Sequence, residues 1–154
     1  MELKPILGTD KVIQICIVVK DAEKAKKYFA GLLGCEEPAL DLLGWDEPVE
    51  TYYKGKTVTS ASARIGVFKM GDLDLEVLEP GPGASLWRDF LDEYGQGVHH
   101  VAFKVKDMKD ASSKMIDLGC ELLQSGLYGD KTGEYAYFDT VDKFGCTIEL
   151  LHDF

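Results

Sequence analysis

Two stretches of sequence, IQICIVVKD (residues 13–21) and HHVAFKVKD (residues 99–107), share one pattern: a mostly apolar strand that ends at a Lys-Asp pair. Aligning the two stretches places Gln14 against His100. A repeat of this size is too short to be a stable domain by itself. It therefore predicts two fused modules that share one core and are related by a pseudo-twofold axis.

A second pair of matching stretches lies near the end of each copy. The segments LEVL (residues 75–78) and IELL (residues 148–151) are apolar strands interrupted by one carboxylate, Glu76 in the first and Glu149 in the second. Each copy therefore carries two potential metal ligands at matching positions. The first strand supplies an amide or an imidazole, and the last strand supplies a carboxylate.

The bulk composition is ordinary for a soluble protein. With 154 residues, of which 45% are hydrophobic and 29% charged, we expect a single domain over residues 1–154. The net charge of −10 argues against nucleic acid as a partner, because binding polyphosphate needs clustered Lys and Arg. No membrane-spanning run and no secretory signal pattern occurs, so we expect no membrane partner and a cytoplasmic location.

The four cysteines show no CxxC spacing. Cys35 and Cys120 occupy equivalent places in the two copies, each directly after a glycine that follows a helical segment. We interpret Cys16, Cys35, Cys120 and Cys146 as small buried residues in a reducing compartment, and a catalytic thiol is the less favoured alternative.

The first module is predicted to have the order βαβββ. Residues 12–19 are typical of a buried strand, Asp21 is the expected N-cap of a helix over residues 22–33, and Gly34 ends that helix. Three shorter strands are expected within residues 49–53, at residues 63–69 and at residues 73–78.

The second module repeats this order after a linking helix over residues 85–95, which Ser85 is expected to cap. Its strands are predicted at residues 98–105, 121–124, 134–139 and 146–151, with a helix at residues 108–118 capped by Asp107. The predicted fold class is α+β: two tandem βαβββ modules, over residues 12–80 and 98–152, form a curved mixed sheet of half-barrels around one cleft.

The first copy is longer than the second between its two candidate ligands, and we place the extra residues within residues 41–56. Trp45, Tyr52 and Tyr53 lie there among glycine, proline and acidic residues. Two interpretations stay open for this segment: a lid over a ligand, or an ordinary packed surface loop.

The alternation of side chains along a strand puts the candidate ligands on one face of the sheet. Gln14 and His100 each point away from the apolar stripe of their strand, and Glu76 and Glu149 do the same on theirs. If the apolar stripes pack under helices, all four polar side chains line the opposite, concave face. His99 is expected to face away from His100, in a hydrogen-bonding or helix-facing role.

Buried carboxylates on that face would cost several kcal/mol without a partner. A divalent cation removes this cost, so Gln14, Glu76, His100 and Glu149 are the predicted metal ligands. Three oxygen donors and one imidazole fit Zn, Ni, Co, Mn or Fe, and the sequence does not choose among these metals. For any one of these residues alone, a hydrogen-bonded core role is the more common alternative. His152 is predicted to be solvated.

These features resemble the vicinal oxygen chelate superfamily, which includes glyoxalase I, methylmalonyl-CoA epimerase, extradiol dioxygenases and bleomycin-resistance proteins. The resemblance rests on Gln14 in QICIVVKD, Glu76 in LEVLEP, His100 in HHVAFKVKD and Glu149 in IELL. It extends over residues 12–151, and it implies that these four residues hold the metal.

The resemblance also implies a type of chemistry. Glyoxalases and epimerases abstract a proton next to a carbonyl, with a metal-stabilised enolate and a nearby carboxylate that moves the proton. The expected activity is that of an isomerase, epimerase or lyase acting on a small carbonyl-containing substrate. Glu149 is the predicted base, with Glu76 or Gln14 as a second candidate for returning the proton.

Val18 and Pro80 stand where glutathione-dependent members carry an arginine and an asparagine, so the resemblance does not imply glutathione. The alternative function is a non-catalytic, ligand-sequestering protein of the bleomycin-resistance type, and a third is an inactive interaction module. A homodimer is left open, as is whether the modules pair within one chain or between two.

Overall fold

One continuous mixed sheet of ten strands forms the centre of the computed structural model, which describes residue 2 and residues 4–154. The strands are β1 (Gln14–Val18), β2 (Asp41–Leu43), β3 (Thr51–Tyr53), β4 (Lys56–Val58), β5 (Ala63–Met70), β6 (Leu73–Pro80), β7 (Gly97–Lys104), β8 (Leu122–Leu127), β9 (Gly133–Phe138) and β10 (Thr147–Asp153). The helices are α1 (Ala22–Leu33), α2 (Leu86–Tyr94), α3 (Met108–Asp117) and α4 (Val141–Phe144).

The two halves of the chain meet at the middle of the sheet, whose strand order is β2-β5-β6-β1-β7-β10-β9-β8-β3-β4. Strands β1 and β7 pair antiparallel, with Gln14 opposite Ala102 and Cys16 opposite His100. Each central strand has a parallel neighbour on its outer side, β6 beside β1 and β10 beside β7. The predicted α+β class with a curved mixed sheet is confirmed.

The helix starts predicted from the sequence are confirmed by their caps. The Asp21 carboxylate accepts a hydrogen bond from the Lys24 backbone N–H at 3.0 Å, and Ser85 and Asp107 do the same for α2 and α3. At the other end of α1, Gly34 has a φ of 69°, a left-handed conformation that glycine adopts without a Cβ clash. No helix among residues 4–154 has the length and apolar character needed to span a bilayer.

Helices cover the two faces of the sheet unequally. Helix α1 packs on one half of the convex face, where Ala30 contacts Phe68 and Val77. Helix α3 packs on the other half against Ile148 and Leu150. Because Val77 flanks Glu76, and Ile148 and Leu150 flank Glu149, this packing turns both carboxylates toward the concave face.

Helix α2 has a different position from the other two long helices. Its Leu86 and Trp87 side chains are buried in a cluster with Cys16, Val18 and residues of β6 and β9. Cys16 and Val18 lie on the same strand face as Gln14. The linking helix therefore closes one end of the concave face, which is apolar there.

The strand predicted within residues 49–53 is present as β3, at Thr51–Tyr53, but it does not lie in the first half of the sheet as the βαβββ order predicts. It pairs with β8 at the opposite end of the sheet, and the strand that pairs with β5 is β2, at Asp41–Leu43. The partner of β3 could not be predicted, because pairing with a distant strand leaves no local signal in the sequence. The short helix α4 was also not predicted.

The hairpin formed by β3 and β4 extends the second half of the sheet, because β3 pairs with the outer edge of β8. Its two-residue turn consists of Lys54 and Gly55, which have φ values of 47° and 87°. Positive φ at both central residues is typical of the tight turn that matches strand twist. The loop over residues 44–50 joins β2 to β3 and so spans the distance between opposite ends of the sheet.

The cysteine prediction is correct in part. Cys16 and Cys120 are buried, but Cys35 is exposed and Cys146 is only half-buried. Cys35 follows the glycine that ends α1, at a point where the chain turns along the surface.

One aspartate on α2 holds the hairpin of β3 and β4 in place. The Tyr53 hydroxyl donates a hydrogen bond to Asp89 at 2.5 Å, and Lys54 Nζ lies 3.0 Å from the same carboxylate. These polar contacts join the hairpin to the linking helix, in addition to the strand pairing with β8.

Replacing this aspartate should loosen the hairpin locally. In Asp89→Ala we expect faster amide exchange at residues 51–58 and a loss of about 1 kcal/mol in unfolding free energy, because the ion pair is partly exposed. Asp92→Ala is the matched control, since Asp92 lies on the same helix and its ion pair among residues 4–154 is with Arg88, outside the hairpin. Equal exchange in the two variants, measured by mass spectrometry, would contradict the anchoring role.

Candidate metal and catalytic site

A cavity of about 810 Å³ opens on the concave face of the sheet. Both halves of the chain line it, together with the loop after β2 and the turn between β8 and β9. Of the four predicted ligands, Gln14, Glu76 and Glu149 reach the cavity wall. His100 is fully buried behind them.

The four predicted ligands lie together around one ring nitrogen. His100 Nε2 is 3.1 Å from Gln14 Oε1, 3.0 Å from Glu149 Oε2 and 3.8 Å from Glu76 Oε1. Their strands are neighbours in the order β6-β1-β7-β10. The sheet therefore brings the side chains predicted from strand parity into a single cluster at the cavity floor.

The electrostatics of this cluster favour a positive centre. Burial raises the pKa of Glu76 to about 7, with the His100 charge opposing the shift and the Glu149 charge adding to it. Burial lowers the pKa of His100, but the Glu149 and Glu76 carboxylates outweigh this effect, so its pKa is raised overall. Two carboxylates thus lie beside one imidazole, whose single positive charge cannot neutralise both of them.

The donor set fits a divalent cation. Glu149 Oε2 is buried and has no hydrogen-bond partner by geometry, and its nearest charged group is His100 Nε2 at 3.0 Å. An unpaired buried carboxylate oxygen costs several kcal/mol. Ligand atoms bound about 2.1 Å from one ion lie about 3 to 3.5 Å apart, which is close to the spacings around His100 Nε2. Oxygen donors and an imidazole suit the borderline transition metals.

The sequence analysis missed Cys16 as a member of this cluster. Its sulfur, a Glu76 oxygen and a His100 ring nitrogen all lie within 4.8 Å of one another. Burial, followed by the charge of Glu76, raises the pKa of the Cys16 thiol. The signal was present in the sequence, because Cys16 shares a strand face with Gln14 two residues earlier.

His99 does not simply face away from His100 as strand alternation predicts. The pairing of β1 with β7 jumps from Cys16–His100 to Ile17–Val98, so His99 is the extra residue of a β-bulge. A bulge interrupts the alternation of side chains. His99 Nδ1 lies 2.8 Å from His100 Nδ1, and its ring packs edge-on against Phe90 of α2 at 5.1 Å. The expected hydrogen-bonding and helix-facing roles therefore occur together.

His152 is also not solvated as predicted. It is half-buried, and its Nδ1 lies 3.0 Å from Glu134 Oε1 on the neighbouring strand. It takes no part in the contacts around His100 Nε2.

Aromatic side chains form the wall beside the cluster. Trp87 Nε1 donates a hydrogen bond to the Tyr137 hydroxyl at 3.1 Å, and Tyr137 lies directly opposite Glu149 in the sheet. Tyr135, two residues away on the same face, accepts a hydrogen bond from the buried Gln124 amide. These satisfied polar groups give the wall of the cavity a fixed shape.

The mouth of the cavity is acidic. Two of its lysines are already paired, Lys69 with Asp74 at 2.8 Å and Lys104 with Asp153 at 2.7 Å. The loop after β2 adds the carboxylates of Asp46 and Glu47 to the lining. Part of the segment over residues 41–56 therefore lines the cavity, while its β3 portion pairs in the sheet.

Comparison with known proteins is informative at the level of family. Residues 13–138 match the model of the Glyoxalase/Bleomycin resistance protein/Dioxygenase superfamily. The Uncharacterized protein YqjC of Bacillus subtilis is 27% identical over 145 residues, which cover 92% of this chain and 91% of that protein.

Solved structures share the fold at lower identity. The methylmalonyl-CoA epimerase from Mycobacterium tuberculosis is 17% identical with a TM-score of 0.66, over 100% of this chain and 93% of that one. A Streptomyces coelicolor methylmalonyl-CoA epimerase variant in complex with 2-nitronate-propionyl-CoA is 20% identical with a TM-score of 0.65, over 93% and 96%. With the family model matching most of its length, this chain belongs to the Glyoxalase/Bleomycin resistance protein/Dioxygenase superfamily.

Proposed function

We propose that this protein is a divalent-metal-dependent enzyme that abstracts a proton from a carbon next to a carbonyl group, as an isomerase, epimerase or lyase. The metal ligands in this proposal are Gln14, Glu76, His100 and Glu149. The metal is one of Zn, Ni, Co, Mn and Fe, and the substrate is a small carbonyl compound.

The observation that carries the proposal is the convergence of three side-chain oxygens on His100 Nε2 at the floor of the cavity. Glu149 Oε2, which is buried without a hydrogen-bond partner, lies in the same cluster. A bound divalent ion would polarise the substrate carbonyl and stabilise the negative charge that develops on its oxygen.

The side chains of the cluster have separate roles in proton transfer and in metal binding. Glu149 and Glu76 line the cavity, so each carboxylate can contact a substrate that binds there. Glu149 would give up its place among the ligands as substrate enters and remove the proton, and Glu76 is the candidate for returning it to the other face of the carbon. His100, buried behind them, holds the ion and does not take part in proton transfer.

The surrounding wall fixes the substrate and limits access of water. Trp87, Tyr135 and Tyr137 line the cavity beside the carboxylates, and these rings offer apolar surface with few free polar groups. A substrate held against this wall would present its carbonyl to the ion and its acidic C–H bond to Glu149. The Streptomyces coelicolor epimerase variant named above is described in complex with 2-nitronate-propionyl-CoA, and acyl-CoA thioesters are therefore one class to screen.

Metal binding is the first test of this proposal. We expect one tightly bound divalent ion per chain by elemental analysis, and titration calorimetry should give at least about 100-fold weaker binding in His100→Ala, which removes the imidazole ligand. His152→Ala is the control, because His152 lies outside the cluster. Equal metal affinity in the wild type and in His100→Ala would contradict the ligand assignment.

Proton abstraction is tested by hydrogen exchange on the substrate. Metal-loaded protein should speed the exchange of α-hydrogens in heavy water for some members of a panel of acyl-CoA thioesters, hydroxyketones and keto acids, as followed by NMR. Glu149→Gln should lower this rate about 10²- to 10⁴-fold, because the amide cannot accept the proton. The fold should be kept, since the amide has the shape of the carboxylate.

The exposed Glu121→Gln is the matched control and should exchange at the wild-type rate. An unchanged rate in Glu149→Gln would remove that residue as the base. Tight ligand binding with neither bound metal nor exchange would instead favour the sequestering function of the bleomycin-resistance type.

A further inference from the structure

We propose that His99 is a positioning residue for the metal site: its Nδ1 accepts the Nδ1–H of His100 and thereby leaves the Nε2 lone pair of His100 free for the ion. This inference rests on the proposed function, because it assigns His99 a role toward the same metal. It uses a buried histidine that the proposed chemistry leaves without a function.

The contact between the two rings restricts where protons can lie. His99 Nδ1 and His100 Nδ1 are 2.8 Å apart, a hydrogen-bond distance at which one nitrogen must donate and the other must accept. An imidazole that binds a metal through Nε2 must carry its proton on Nδ1. In the metal-loaded protein His100 is therefore the donor, and His99 accepts through an unprotonated Nδ1.

The packing around His99 keeps this acceptor in place. His99 is 5% exposed, and its ring packs edge-on against Phe90 at 5.1 Å and Tyr137 at 5.7 Å. These contacts hold the ring plane, so the nitrogen stays aimed at His100. A partner that fixes both tautomer and ring orientation raises the affinity of a histidine for its metal.

The β-bulge is what makes the contact available. In regular alternation, adjacent residues of a strand point to opposite faces, and two neighbouring imidazoles cannot share a proton through Nδ1. Because His99 is the extra residue where the pairing with β1 shifts, its ring reaches the ring of His100 while still contacting α2. The bulge thus places an acceptor behind the proposed ligand without using another strand.

Two substitutions separate this role from simple core packing. His99→Phe keeps an aromatic ring against Phe90 and Tyr137 but loses the acceptor, and His99→Asn keeps an oxygen acceptor near the position of Nδ1 but loses the ring. A positioning role predicts that Zn²⁺ affinity falls about 10- to 100-fold in His99→Phe and falls less in His99→Asn. A packing role predicts the reverse order. His152→Phe is the control and should bind Zn²⁺ as the wild type does.

The measurement is titration of each folded variant with Zn²⁺ alone, and long-range nitrogen–proton NMR of Zn²⁺-loaded wild type reads the tautomers directly without any variant. We expect His99 to be protonated only on Nε2 and His100 only on Nδ1. A proton on His99 Nδ1, or wild-type affinity in His99→Phe, would overturn the inference. If His100→Ala itself left Zn²⁺ affinity unchanged, the proposed metal site would fail instead, which distinguishes the two failures.

Discussion

The antiparallel pairing of β1 with β7 is the contact on which the rest of the molecule depends. It sets Cys16 against His100 and Gln14 against Ala102 at the centre of the sheet. The parallel strands on either side then place Glu76 next to Cys16 and Glu149 next to Ala102. Equivalent residues of the two copies thus have equivalent neighbours, and their polar side chains meet at the line where the copies join. A shift of one residue in this pairing would turn the polar side chains of one copy away from those of the other.

The cluster at this line is unfavourable by itself. Two buried carboxylates each lie within ion-pair distance of a buried imidazole, and desolvating such groups costs several kcal/mol. Apolar packing elsewhere offsets this cost: α1 and α3 cover the convex face, and α2 fills one end of the concave face with Leu86 and Trp87. The resulting rigid floor keeps oxygen donors close together in an orientation that suits a cation.

The two copies are not equal outside this centre. Only the first copy has the long connection that leaves the sheet at β2 and returns at β3, beside the far end of the second copy. This crossing gives the cavity one of its walls, and it brings Asp46 and Glu47 to the mouth. Asp89 on α2 binds the inserted hairpin through Tyr53 and Lys54. The floor, built from equivalent positions of the two copies, therefore carries an asymmetric entrance.

Much of the site followed from the sequence, because side-chain direction on a strand is a local property with a period of two. The repeat and this parity were enough to select Gln14, Glu76, His100 and Glu149, and short-range capping rules found the starts of three helices. The bulge at His99 and the pairing of β3 with β8 came only from the tertiary structure. Each of these depends on which distant strand lies alongside, and a local stretch of sequence contains no information about that partner.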